Sequence, residues 1–176
     1  PMSDYFGSAS RVNAIAVIGS DVYVGGGFDT IGGVMVRNIA KWDGSTWSAL
    51  GAGTNSEVYS LSSSGSDLCA GGGFIAADGI TTNKIAKWNG GSWSTLGSGI
   101  DLYANSLVKT LAISNSDVFV GGAFFFAGGN NAANIAKWDG NGWSSLDSGT
   151  SDPVNALAVS GTNLYVGGDF DSVGGD

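Results

Sequence analysis

Short apolar runs recur along the chain at a nearly constant spacing, separated by polar and glycine-rich stretches. Each run ends in a glycine doublet that is followed by one further residue and a phenylalanine. The four copies are "VYVGGGF" (22–28), "LCAGGGF" (68–74), "VFVGGAF" (118–124) and "LYVGGDF" (164–170), offset by 46, 50 and 46 residues. Short apolar runs bounded by turn residues predict strands, and self-similarity at this spacing predicts a repeat architecture.

Each repeat predicts four short strands. A first strand such as "VNAIAV" (12–17) precedes a "GSD" or "NSD" turn and the second strand, which carries the glycines. The third strand is "IAKW", and the "DG" or "NG" after it is a strong hairpin signal before a fourth strand that opens with tryptophan. The repeats are therefore 12–57, 58–107, 108–153 and 154–176, the last being a half repeat.

The repeats predict a single all-β domain over residues 1–176. Its expected architecture is a β-propeller of four-stranded antiparallel blades, with about three and a half blades in this chain. In "IAKW", Ala40 and Trp42 share one face of the strand while Ile39 and Lys41 share the other, so both faces of a blade need a neighbour. The 31 glycines predict tight turns and close approach of strands near the axis.

The motifs resemble those of a known repeat family. The glycine doublet ending the second strand, the aromatic residue in the third and the tryptophan opening the fourth resemble the kelch repeat over residues 12–176. "LYVGGDF" and "NIAKWDG" are similar to short bacterial propeller repeats with a "VGGxF" core and to repeats of fungal cell-polarity marker proteins. This resemblance implies a propeller fold, on which binding modules, scaffolds, lectins and a few enzymes are built.

The half repeat leaves three arrangements open. The N-terminal segment "SDYFGSA" (3–9), anchored by Tyr5 and Phe6, could add an outer strand and close a four-bladed ring. Two copies of the chain could instead assemble, because twice fourteen strands would supply seven four-stranded blades. The third arrangement, which we rank first for the natural protein, is that this chain is a fragment of a longer array.

The charge and hydropathy of the chain limit the classes of partner that it is expected to bind. The chain has 15 acidic and 7 basic residues, a net charge of -8, and no cluster of Lys and Arg, so nucleic acid is a poor partner. No run of 18 apolar residues exists, so no membrane span is expected. The low charged fraction of 12% and the content of Ser, Thr and Asn favour an extracellular bacterial protein.

The residue inventory argues against catalysis. The chain has no histidine, which excludes nucleophile–histidine pairs and the histidine ligands of a copper oxidase or a His-based zinc site. Cys69 is the only cysteine and is expected to be a buried strand residue. We therefore expect a non-enzymatic protein without a cofactor. A distant alternative is a hydrolase or lyase that uses loop carboxylates such as Asp29, Asp169 and Asp171.

Other recurring charged residues have structural interpretations. Asp21, Asp67 and Asp117 recur at one hairpin position, which indicates a role in the turn. The lysines of "IAKW" are expected to form ion pairs or to pack their stems on a neighbouring blade; they are Lys41, Lys87 and Lys137. Calcium is the metal worth considering, with Asp169, Asp171 and Asp176 as possible ligands, although no EF-hand or RTX spacing is present.

The binding surface is predicted at the rim that carries the longer loops. The single change in repeat length lies in the loop "GSGIDLYANSL" (97–107), and insertions of this kind usually mark a working surface. Tyr103 in that loop, with Phe125 and Phe126, could form an apolar patch that contacts a protein partner or another copy. The alternative is a lectin-like propeller in which Trp47, Trp93 and Trp143 stack on sugars, one weak site per blade.

Overall fold

The computed structural model describes residues 10–101 and 103–174 and consists of strands, turns and loops. No helix in these two ranges has the length and apolar character needed to cross a membrane. The strands fall into four consecutive groups that coincide with the four sequence repeats, which we call units 1 to 4. The protein is therefore all-β, as the sequence predicts.

Unit 1 is an antiparallel sheet of four strands with a small hairpin inserted between its second and third strands. Its strands are β1 (Arg11–Ile18), β2 (Asp21–Gly27), β3 (Thr30–Ile31), β4 (Val34–Met35), β5 (Ile39–Trp42) and β6 (Trp47–Ala49). The main sheet has the order β1-β2-β5-β6, and β3 pairs only with β4.

Units 2 and 3 repeat this arrangement. Unit 2 comprises β7 (Val58–Ser64), β8 (Asp67–Gly72), β9 (Ala76–Ala77), β10 (Ile80–Thr81), β11 (Ile85–Trp88) and β12 (Trp93–Ser94). Unit 3 comprises β13 (Leu107–Ser114), β14 (Asp117–Ala123), β15 (Phe126–Ala127), β16 (Asn130–Asn131), β17 (Ile135–Trp138) and β18 (Trp143–Ser145). Unit 4 contributes the antiparallel pair β19 (Val154–Ser160) and β20 (Asn163–Gly168).

The predicted turns are confirmed. The first and second strands of each unit are joined by two residues, the first of which has a positive φ: Gly19, Gly65, Asn115 and Gly161. After the third strand, Asp43 closes its hairpin by accepting hydrogen bonds from the backbone N–H groups of Ser45 and Thr46. These bonds lower the pKa of the Asp43 carboxyl group.

The small hairpins between the second and third strands of units 1 to 3 (β3–β4, β9–β10 and β15–β16) were not predicted from the sequence. Their two central residues have positive φ in each of these three units, which is the requirement of a type I′ turn. They are Gly32 and Gly33, Asp78 and Gly79, and Gly128 and Gly129. The "GG" and "DG" dipeptides at these places were the available signal.

Each first strand carries a β-bulge near its start. The pairing register shifts between Val12 and Ala14 in unit 1 and at the equivalent places in the other three units. The bulge brings the backbone of the first strand against the second glycine of the doublet. A Cβ atom on Gly72 would lie 2.1 Å from the carbonyl oxygen of Glu57, so only glycine fits there.

The core lies between successive sheets, which stack face to face. Tyr23, Ile39 and Leu50 of unit 1 join Val58 and the other buried residues of unit 2 in one cluster. A second cluster joins Cys69, Ile85 and Leu96 of unit 2 to Val108 and Val120 of unit 3. Burial raises the pKa of the Cys69 thiol to about 12, in agreement with the expectation of a buried, inert residue.

The lysines that recur in the sequence form ion pairs in units 1 to 3, which is one of the two interpretations given for them, and their partners are the aspartates that were expected to serve the turn. Each lysine of the third strand reaches the aspartate that opens the second strand. The Nζ–Oδ2 distances are 2.9 Å for Lys41–Asp21, 3.0 Å for Lys87–Asp67 and 3.2 Å for Lys137–Asp117. The pairs are partly exposed, so each contributes little to the free energy of folding.

The stack has two open ends among the described residues. Val12 and Ile15 of β1 and Tyr165 of β20 are exposed, whereas their equivalents in unit 2, Val58, Leu61 and Cys69, are buried. In the part of the chain that the structure describes, unit 4 does not cover unit 1. The segment 3–9, with Tyr5 and Phe6, lies outside the described residues, so the ring closure suggested for it stays a prediction.

Candidate functional site

The longer loops of each unit meet the loops of the next unit at one rim of the stack, which we call the long-loop rim. Isolated β-bridges link a loop of one unit to a loop of the next, joining Thr54 to Ala77, Ile100 to Ala127 and Thr150 to Val173. The residues that directly follow Thr54, Ile100 and Thr150 in the chain accept hydrogen bonds through their side chains, each from two consecutive backbone N–H groups of the next unit. The accepting residues are Asn55, Asp101 and Ser151.

Asp101 organises the lengthened loop of the rim. Its Oδ2 atom accepts hydrogen bonds from the backbone N–H groups of Phe125 at 2.7 Å and Phe126 at 3.0 Å. Its Oδ1 atom accepts from the N–H of Tyr103 at 3.3 Å and from the hydroxyl group of Ser106. One carboxylate therefore holds the lengthened loop of unit 2 against the loop between β14 and β17 of unit 3.

The result is an aromatic patch made of Tyr103, Phe125 and Phe126. The rings of Tyr103 and Phe125 lie edge to face, with centroids 6.2 Å apart, and the centroids of Tyr103 and Phe126 are 6.3 Å apart. Tyr103 is 58% exposed and Phe125 is 64% exposed. The structure thus brings together the three residues that the sequence assigned to an apolar patch.

Two clefts border the aromatic patch. One, of about 410 Å³, is lined by Asn83, Ser98, Asp101, Tyr103 and Phe126 among others. The other, of about 620 Å³, lies between the patch and a wall that includes Asn131, Ser145 and Asp147. Both clefts have an aspartate in their lining, and neither has a lysine or arginine among the described lining residues. The charged side chains among these lining residues are therefore acidic.

Two of the three candidate tryptophans are interior residues. The side chains of Trp93 and Trp143 are buried, and their indole N–H groups donate to the carbonyl oxygens of Leu50 and Leu96 in the preceding unit, each at 2.8 Å. Trp47 is partly buried and, within the described residues, has no such acceptor. The buried indoles of Trp93 and Trp143 leave no open ring face for a sugar at these two positions. The lectin-like alternative stays a prediction.

Lys84 is a residue of the rim whose importance the sequence analysis missed. Asn38 and Asn134 occupy the equivalent position in units 1 and 3, where the side-chain amide donates to Thr54 and Thr150 carbonyl oxygens. Lys84 is instead buried in the left-handed region, with a φ of 71°, and its Nζ donates to the Gly73 carbonyl oxygen at 3.1 Å. Burial lowers the pKa of its amino group, and the nearby charge of Asp101 partly offsets this.

We expect Lys84→Asn to raise the free energy of unfolding by about 1–2 kcal/mol at pH 7. Asparagine tolerates a positive φ better than lysine, and its amide would restore a hydrogen bond to the neighbouring loop. The reverse substitution Asn134→Lys is the matched control and should destabilise the protein by a similar amount. Urea unfolding followed by tryptophan fluorescence measures both; a loss of stability in Lys84→Asn would contradict the assignment.

The advantage of Lys84→Asn should shrink at high pH. The pKa of Lys84 is lower in the folded state than in the unfolded state, so the unfolded chain binds more protons as the group titrates. Stability of the unsubstituted protein, measured relative to the variant, therefore rises as the pH passes through the folded pKa and levels off above about 10.5, the ordinary lysine value.

The carboxylates do not form a metal centre in the described part of the chain. No group of three or more acidic or cysteine side chains lies close enough together to hold an ion among residues 10–101 and 103–174. The calcium hypothesis also used Asp176, which lies outside these ranges, so it stays a prediction. The backbone carbonyl oxygen of Asp29 accepts hydrogen bonds from the backbone N–H groups of Val36 and Arg37 and so stabilises the loop between β2 and β5.

Comparison with known proteins bears on the fold alone. No protein-family model matches the chain, and no curated protein matches it. The crystal structure of the computationally designed Ika4 protein aligns with a TM-score of 0.62 at 20% identity, over 96% of this chain and 92% of that one. The computationally designed Ika8 protein aligns with a TM-score of 0.50 at 19% identity, over 89% of this chain. This chain spans 55% of the length of Ika8. At such identities the likeness supports an all-β, propeller-like stack of four-stranded sheets and no particular activity.

Proposed function

We propose that this chain is a non-enzymatic binding module that contacts a protein partner through the aromatic patch of its long-loop rim. The observation that carries the proposal is the exposed edge-to-face pair of Tyr103 and Phe125, fixed in place by Asp101. Exposed aromatic clusters of this kind are typical of contact surfaces, because aromatic side chains bury a large area with few rotatable bonds.

The scaffold of this module is, in our proposal, a kelch-like β-propeller of which this chain forms about three and a half blades. Three observations support this: the four-stranded meander of units 1 to 3, the burial of residues between successive sheets, and the two-residue turns at one rim. A rigid stack of this type presents its loops in fixed positions. Binding therefore requires little ordering of the surface, which favours affinity.

The chemistry of the rim indicates what kind of partner it fits. The two clefts offer apolar aromatic walls beside Asp101 and Asp147, and the whole chain carries a net charge of -8. We therefore propose an extended protein segment with an apolar anchor residue flanked by lysine or arginine. The basic residues would speed association and orient the segment, while the anchor would supply most of the affinity.

The location of the protein is part of the same proposal. Only 12% of the residues are charged, and the polar surface is supplied largely by Ser, Thr and Asn, which suits an extracellular or cell-surface bacterial protein. The carbohydrate-binding alternative is less well supported, because the indoles of Trp93 and Trp143 are enclosed between units.

Selection from a phage-displayed library of random peptides tests the proposed contact. Peptides that bind the unsubstituted chain should contain an aromatic or large aliphatic residue next to Lys or Arg. Their affinity, measured by calorimetry, should fall at least about tenfold in Tyr103→Ser and in Phe125→Ser, since a hot-spot residue contributes at least about 1.4 kcal/mol.

Tyr165→Ser is the matched control for this experiment. Tyr165 is 57% exposed, much like Tyr103, but lies in β20 away from the aromatic patch. Its substitution should leave peptide affinity unchanged. The proposal fails if selected peptides bind equally well to Tyr103→Ser and to the unsubstituted chain, or if a glycan array gives binding that Trp47→Ala abolishes.

A further inference from the structure

Each internal boundary between units is built in the same way. We call the side of a sheet that meets the following unit its back face and the side that meets the preceding unit its front face. The first glycine of the doublet on a back face lies directly against a valine on the next front face. A Cβ atom added to that glycine would be 2.4 to 2.6 Å from a valine Cγ1 atom in the pairs Gly25–Val58, Gly71–Val108 and Gly121–Val154.

A leucine and an asparagine complete the boundary between units 1 and 2. Leu61 of unit 2 packs beside Gly25, and the side-chain amide of Asn13 donates to the carbonyl oxygen of Val58 at 2.9 Å. Val58 and Leu61 are buried as a result. The boundary therefore joins an apolar front face, a flat glycine surface and a specific hydrogen bond.

The exposed back face of unit 4 matches the first two strands of the occupied back face of unit 1 at five positions, although Ser160 stands where unit 1 has Ile18. The pairs are Asn13 and Asn155, Ala14 and Ala156, Ala16 and Ala158, Tyr23 and Tyr165, and Gly25 and Gly167. Tyr23 is buried by unit 2, but Tyr165 is 57% exposed, so the face that unit 2 covers in unit 1 is uncovered in unit 4.

The front face of unit 1 is the complementary open surface. Val12, Ile15 and Val17 are 40%, 64% and 56% exposed. The equivalents of the first two in unit 3, Val108 and Leu111, are buried against unit 2. An apolar strand face of this kind, left open, is a docking surface for a face of matching shape.

We infer that copies of this chain associate head to tail, with the back face of unit 4 in one copy packed on the front face of unit 1 in another. The side chain of Val12 then packs against Gly167 of the other copy, as Val58 packs against Gly25 within the chain. The amide nitrogen of Asn155, which has no acceptor within the described residues, donates to the Val12 carbonyl oxygen as Asn13 does to that of Val58. The occupant is a second copy because both faces are exposed in the same molecule.

The pairing uses two different surfaces, so it is heterologous. Two copies satisfy both pairs of faces at once if they close into a ring, and a larger ring or a filament forms if they do not. The aromatic patch is not part of either surface. The inference is therefore independent of the partner proposed for the long-loop rim.

Two variants block one surface each without disturbing the fold of the chain. Ile15→Asp places a charge in the front face at a side chain that is largely exposed. Gly167→Val fills the back face, and a Cβ atom there meets nothing closer than the Ala156 Cβ at 3.9 Å within the free chain. Circular dichroism and thermal melting should show that both variants fold.

Light scattering coupled to size exclusion, over a dilution series, supplies the readout. The unsubstituted chain should elute as an assembly of two or more copies of 17.6 kDa each. Each variant alone should stay a monomer even at about 100 times the concentration at which the unsubstituted chain associates. An equimolar mixture of the two variants should form a 1:1 complex, because one keeps its back face and the other keeps its front face. Tyr103→Ser should associate like the unsubstituted chain.

Three results would overturn the inference. The first is a monomeric unsubstituted chain at all concentrations, which would indicate that the two faces are closed within one molecule or are not adhesive. The second is association that survives in both variants. The third is loss of association in only one of the two variants, which would indicate pairing of like faces.

Discussion

Gly71→Ala should lower the free energy of unfolding by about 1–3 kcal/mol, whereas Gly167→Ala should leave it nearly unchanged. The added methyl group at position 71 would lie 2.4 Å from Cγ1 and 3.1 Å from Cβ of Val108. Val108 is fully buried and stiff about χ1, so the two units must separate slightly to admit it. At position 167 the methyl group has an ordinary contact of 3.9 Å.

Urea unfolding monitored by tryptophan fluorescence compares the two glycine variants. The protein concentration should be low enough for the chain to be monomeric, so that effects on association do not enter. Gly168→Ala is a useful control in the same unit, because its Cβ would lie 2.3 Å from the carbonyl oxygen of Pro153 and should be destabilising. Equal effects at positions 71 and 167 would show that contact between units is not the cause.

Trp93→Ala should be the most damaging of the tryptophan substitutions, with a loss of about 3–5 kcal/mol. Trp93 is buried, packs against Trp88 with ring centroids 5.4 Å apart, and donates its N–H to the Leu50 carbonyl oxygen of unit 1. Its removal creates a cavity and leaves a buried acceptor without its partner. A loss of this size approaches the total stability of many small domains.

Trp47→Ala is the matched comparison for Trp93→Ala. Trp47 forms the same kind of pair with Trp42, with centroids 5.2 Å apart, but it is only partly buried and lies on the front face of unit 1. We expect it to lose clearly less stability than Trp93→Ala. Thermal melting by circular dichroism gives both values, and a larger loss in Trp47→Ala would contradict the view that these indoles act mainly as contacts between units.

The sequence predicted the strands well because their signals are local and repeated. Short apolar runs such as "VNAIAV", the two-residue turns and the "DG" dipeptides each depend on residues close together in the chain. The ion pair of Lys41 with Asp21 was also within reach, since both residues recur with every full repeat. The aromatic patch was predicted as a place on the rim, and the structure supplies its edge-to-face geometry.

Other features depend on contacts between units, which periodicity does not encode. The need for glycine at position 71 comes from Val108, 37 residues further along the chain, and the sequence indicated only a crowded environment. Asp101 occupies the place of Asn55, and Lys84 occupies the place of Asn38, so comparison between repeats could have singled both out. Their roles still required knowledge of which N–H and carbonyl groups face them.

The hydrogen bonds that cross from one unit to the next give the fold its cooperativity. Asn55, Asp101 and Ser151 each bind the unit that follows, and Trp93 and Trp143 bind the unit before. Stability in such a linear array is approximately a sum of terms for each unit and for each boundary. Among the described residues, units 2 and 3 have a neighbour on both sides, whereas units 1 and 4 have one. In a single copy, local opening should therefore begin at the ends of the stack and spread inward.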